Sequence, residues 1–163
     1  MSVLKSKRKE SKYEPVSYSE ELHDMLLELI QHDFGVKNLE HFVRQRFYAG
    51  EADPNDFWQY YYLMHNAKKR IDQLCSELTG NTRAANTIYP TNYSEYKKRR
   101  DYQNYAIVNC QQLIKELQRT VEVFQVDINL YKRHVKAIEK EIDLVKRWRQ
   151  RDNKLKKSLQ GSN

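Results

Sequence analysis

The side chains whose types and spacing could do chemistry in this chain are cations and tyrosines. The stretch ANTIYPTNYSEYKKRR, residues 85–100, places Tyr89, Tyr93 and Tyr96 within eight residues and ends in Lys97-Lys98-Arg99-Arg100. Rings of this kind can stack on bases while cations hold phosphates. The same stretch also reads as a helix start with a solvated face. At 100° per residue, Tyr96 and Arg99 share the line of Gln103, Ala106 and Cys110, the apolar side of a helix. An inward arginine needs a carboxylate or helix-end carbonyls, so Arg99 and Tyr96 are expected in structural or subunit contacts. Lys97 and Lys98 point outward and Arg100 sits at the margin, leaving these three as phosphate candidates. Tyr102, Tyr105 and Trp148 are assigned to packing or an interface, and packing is the favoured use of the tyrosines.

A larger cationic set lies on the last helical segment. There Ile128, Tyr131, Val135, Ile138, Ile142 and Val145 define an inner face. Lys132, Arg133, Lys136, Lys140, Arg147, Arg151 and Lys154 share the opposite sector, with only Asp143 among them and Glu139 at the edge. Such a stripe can follow a phosphate backbone, whose contacts give sequence-independent, salt-dependent affinity. The formal net charge of +7 and the basic run SKRKESK near the N-terminus point the same way, towards a polyanionic partner.

Motifs for catalysis are absent from the sequence. No HExxH, CxxC, P-loop or GxSxG pattern occurs. Glu20 and His23 form one Glu-x-x-His pair, where a di-iron bundle needs two. Cys75 and Cys110 both fall on apolar stripes, where a thiol packs as a small hydrophobe. The chain is therefore expected to have no enzymatic activity, cofactor or metal.

These side chains need helices to position them. Only 4 Gly and 3 Pro punctuate the 163 residues, which suits long helices with few turns. Residues 1–16 read as a basic arm. A capping box at Ser17 and Glu20 opens the first helix, with Leu22, Met25, Leu26, Leu29 and Ile30 inward and Gly35 as a stop. Val36, Leu39, Val43 and Phe47 form a second piece ending at Gly50. Asp53-Pro54 starts the next helix, carried by Phe57, Tyr60, Met64, Ala67, Ile71, Leu74 and Leu78 and broken at Gly80-Asn81. Asn92 and Glu95 cap the third, with a stripe from Ala106 to Phe124, and Asp127 caps the last. Residues 154–163 are expected to fray as a basic tail. An all-α, up-down-up-down four-helix bundle over residues 17–153 follows. Not all of Trp58, Tyr60, Tyr61 and Tyr62 can face one core, so some are expected exposed or in an interface. Without an apolar signal segment or long apolar run, the chain is expected in a cytoplasm and off the membrane.

The segments RRDYQNYAIVNCQQLIKELQRTVEVF and VDINLYKRHVKAIEKEIDLVKRWRQRDNK, together with SKRKESK and AANTIYPTN, resemble the accessory variability determinant (Avd) proteins of bacterial diversity-generating retroelements. They also resemble the related four-helix proteins encoded in ribosomal RNA intervening sequences. The resemblance implies a homopentamer of four-helix bundles that binds a reverse transcriptase and template RNA. It also implies a supporting role in mutagenic cDNA synthesis without catalysis. Two other readings stand beside it: a scaffolding bundle that binds another protein without nucleic acid, and a duplex-DNA regulator, for which no helix-turn-helix spacing is present.

Overall fold

A computed structural model describes residues 13–51, 53 and 56–160. The arm at residues 1–12, Pro54 and the last three residues lie outside them. Five α-helices form, α1 (Glu14–Gln31), α2 (Leu39–Tyr48), α3 (Asp56–Thr87), α4 (Tyr93–Phe124) and α5 (Lys132–Gln160), with no strand among the described residues. The helix α1 packs on α3 and α5, α4 packs on α3 and α5, and α2 lies on α3. Polar links show the sense of each pairing. Ser19 meets Thr82 and His23 meets Asp72, so α1 and α3 run antiparallel. Asn81 meets Asn109 and Arg70 meets Glu116, so α3 and α4 do too. Tyr13 packs edge-on against Trp148 and Arg133 approaches Glu28, which sets α5 antiparallel to α1.

Several helix ends follow local chemistry. The Glu95 N–H donates to the Asn92 side chain at 3.0 Å, opening α4 as expected. The Glu95 carboxylate reaches back to the N–H and hydroxyl of Thr91, and these bonds hold its pKa below the usual range. Asp127 accepts from the Asn129 N–H at 2.9 Å, but it opens a 3-10 turn, Ile128–Tyr131, that leads into α5. Asn38 caps α2, which stops before Gly50 at φ +74.

Other ends differ from the sequence reading. The Ser17–Glu20 capping box does not form, because α1 already starts at Glu14 with Pro15 in its first turn. Glu20 instead accepts from Arg83 of α3. After α1 the chain passes through Asp33, Phe34 and Gly35, all at positive φ. Two non-glycine residues hold that conformation because Phe34 is fully buried and its carbonyl accepts the Tyr131 hydroxyl at 2.7 Å. The expected break at Gly80-Asn81 is absent, and α3 runs on to Thr87. Leu78, Thr82 and Ala85 bury on either side of the glycine, so packing outweighs its poor helix propensity. The helix α5 continues to Gln160 where a frayed tail was expected. Ile128, assigned to the inner face, is 60% exposed, because the 3-10 turn rotates it off the α5 period.

Leu22, Leu26, Ile71, Leu74, Leu78, Cys110, Leu113, Leu117, Ile138 and Val145 form the shared core. Each such side chain contributes roughly 1.5–3 kcal/mol on burial.

Candidate nucleic-acid interface

One end of the molecule collects the N-terminus of α1, the C-terminus of α3, the N-terminus of α4 and the C-terminus of α5. Arg99 ties them together. Its Nε and Nη2 donate to Asp152 of α5 at 2.8 and 3.0 Å, and its Nη1 donates to the Ile88 carbonyl just past α3. The guanidinium also sits 5.1 Å from the Trp148 ring, which packs edge-on against Tyr13 at 4.8 Å. Of the two kinds of partner expected for an inward Arg99, a carboxylate or helix-end carbonyls, both are present. Gln103 adds a third bond to Asp152 at 2.8 Å. A pair this buried contributes register more than net energy, since desolvation offsets much of the attraction.

Tyr96 is buried and its hydroxyl donates to Asn153 at 3.3 Å. Trp148 is fully buried, Tyr102 is half-buried and Tyr105 is exposed, the last two in edge contact. Of the phosphate candidates on α4, Lys97 and Lys98 are exposed. Arg100 is half-buried and partly committed, donating to the Arg149 carbonyl at 2.9 Å and to Asn153 at 3.4 Å.

All seven α5 candidates are exposed, but they divide by neighbour. Lys132 and Lys136 edge an apolar groove of about 780 Å³ between α4 and α5 that also holds Glu122 and Glu139. Arg133 lies 3.9 Å from Glu28, Lys140 sits over the Tyr18 ring at 4.1 Å, and Arg151 stacks on Tyr13 and donates to its hydroxyl. Arg147, Arg151 and Lys154 share a shallow cleft of about 460 Å³ with Glu14. The stripe therefore borders α1, which carries Glu14, Glu20, Glu21, Asp24 and Glu28 and no lysine or arginine. That acidic helix was readable from composition alone. Exposed Lys146 and the buried anchor Asp152 were not singled out in the sequence, and exposed Lys157 fell in the expected tail. Continuing the amphipathic period past residue 153 would have found Lys157. Residues 145–160 hold seven lysines and arginines against one aspartate, which makes this end the basic pole.

Burial pushes the Cys75 thiol up to about 12 and raises Cys110 as well, so neither is a thiolate near neutral pH. Glu20 and His23 are used in links to Arg83 and Asp72 of α3. Among the described residues no group of three or more His, Cys, Asp or Glu side chains is placed to hold a metal, and no helix is long and apolar enough to cross a membrane.

Fold and site together define an all-helical protein with a basic, tyrosine-bearing pole. No family model, curated protein or solved structure matches this chain.

Proposed function

We propose that this chain is a non-enzymatic RNA-binding protein that serves a reverse transcriptase as an accessory in a diversity-generating retroelement. In this reading α1, α3, α4 and α5 form a four-helix bundle and α2 is an addition to its side. The observation that carries the nucleic-acid part is the outer surface of α5. Lys132, Lys136, Lys140, Lys146, Arg147, Arg151, Lys154 and Lys157 are exposed there, and none pairs with a carboxylate among the described residues. Such a surface holds phosphates by charge and releases counterions on binding. The reverse-transcriptase part rests on the resemblance of the α4–α5 hairpin to the Avd proteins. Template RNA and cDNA would lie on the basic surface.

The opposite pole supports assembly. Trp58, Tyr61, Tyr62, Tyr48 and Phe47 are exposed around α2 and the start of α3, beside a groove of about 500 Å³. Exposed aromatics in this number suit a protein interface, either between copies in a homo-oligomer or with the polymerase. By resemblance the oligomer is a pentamer.

The test reverses Lys136, Lys140, Arg147 and Arg151 to Glu and follows RNA binding by fluorescence anisotropy across a salt series. Loss of binding with retained helicity is expected. Each lost phosphate contact removes about 0.7 from the log–log salt slope on single strands, so four contacts amount to roughly 3. Unchanged binding sinks the proposal and favours the scaffolding reading, for which the exposed aromatics alone provide support.

A further inference from the structure

The basic pole offers more than charge. Tyr89, in the loop between α3 and α4, is 83% exposed, and Tyr93, the first residue of α4, is 45% exposed. Their backbone is tied down from both sides. Arg99 holds the Ile88 carbonyl at 3.0 Å, Pro90 is buried, and Asn92 caps α4. The Tyr93 ring lies nearly parallel to that of buried Tyr96, with centroids 6.0 Å apart and planes 21° apart. One face of Tyr93 is thus backed by protein.

Cations continue from these rings. Tyr93, Lys97 and Arg100 fall on one face of α4 at successive turns. The Arg100 bonds to the Arg149 carbonyl and Asn153 hold that face against the last turns of α5, where Lys154 and Lys157 are exposed. The aromatic surface at the other pole lacks this combination. Residues 40–58 there carry four acids and two arginines, and both arginines are paired, Arg44 with Glu40 and Arg46 with Glu51.

Resting on the nucleic-acid reading above, we infer that the basic pole is a platform for single-stranded nucleic acid. Bases stack on Tyr89 and Tyr93 while Lys97, Lys154 and Lys157 hold the flanking phosphates. A duplex buries its base faces and offers only the phosphates. Stacking adds affinity for any base, so the preference is for strandedness and not for sequence.

The experiment measures anisotropy of a labelled RNA of roughly 20 nucleotides, single-stranded and as a duplex, against the full chain and its variants. The wild type is expected to favour the single strand. Tyr89→Ala with Tyr93→Ala is expected to lower single-strand affinity about tenfold or more, with the salt slope and duplex affinity unchanged. Tyr89→Phe with Tyr93→Phe restores it, since a phenyl ring also stacks. Tyr89→Ala alone guards against disturbance of the Tyr93–Tyr96 stack, and is expected to weaken single-strand binding by itself. Equal wild-type affinity for the two forms, or full single-strand affinity in the alanine variants, overturns the inference and leaves the phosphate-binding surface intact. Absence of binding to either form in low salt overturns the underlying function as well.

Discussion

Glu141 is fully buried on α5, and neither of its carboxylate oxygens has a hydrogen-bond partner in the structure. Burial pushes its pKa up to about 9, against the pull of Lys140 and with a small push from Glu14. Tyr18 of α1 and Cys110 of α4 feel its charge. The folded state therefore favours the neutral acid. Its contribution to stability is complete below the ordinary value of 4.5 and is lost as pH rises towards about 9. Glu141→Gln keeps the shape and removes the ionisation. The variant is expected to unfold at higher urea than wild type at pH 8, with the gap shrinking towards pH 5. An equal gap at both values would contradict this assignment. The depressed Glu95 works with the opposite sign and only in acid, outside that window. Glu141 was not visible in the sequence, because a charged residue among Lys140, Ile142 and Asp143 reads as surface. Arg99 was visible, because its place on an apolar line forced the question of a partner.

Helices are read best where one turn of chain contains the whole signal. The Asn92–Glu95 cap involves residues three apart and formed, whereas Asp127, whose bond spans two residues, caps a 3-10 turn ahead of α5. Gly80 is the contrary case. Its backbone is helical, and a Cβ added there meets nothing within 4 Å. Gly80→Ala is therefore expected to stabilise the protein by about 0.5–1 kcal/mol, because the glycine is freer in the unfolded chain. For a chain of this size that is a rise in melting temperature of about 1–4 °C, measurable by circular dichroism. A fall would mean that the α3 backbone departs from helical geometry at this point. The length of α5 was underestimated for a related reason. Residues 154–160 look like a solvated tail, yet they continue a helix that Asp152 anchors through Arg99 and Gln103 of α4.

Across the whole molecule the two ends differ in chemistry. One gathers the lysines and arginines of the last turns of α5 with Lys97, Lys98, Tyr89 and Tyr93; the other exposes Trp58, Tyr61 and Tyr62. Such a division lets one molecule bind nucleic acid at one pole and protein at the other. Trp58→Ala with Tyr62→Ala is expected to shift the mass distribution in mass photometry towards smaller species. RNA affinity per protomer should stay within about twofold, since the rings lie far along α3 from the basic pole. An unchanged mass distribution would remove this surface from the assembly interface.

The sequence by itself determined the helical class, the apolar faces, the start of α4 and the excess of positive charge. Each depends on residues within a turn or two of one another, or on composition. Tertiary structure alone decided which cations have neighbours, because Arg133, Lys140 and Arg151 lie against Glu28, Tyr18 and Tyr13, while Arg100 turned to a carbonyl of α5. It also decided that Tyr89 and Tyr93 face solvent at one pole, beside the inward Tyr96 that the helical period had already indicated. Residues 53 positions apart, Arg99 and Asp152, fix that arrangement, and no local pattern carries a contact of that range.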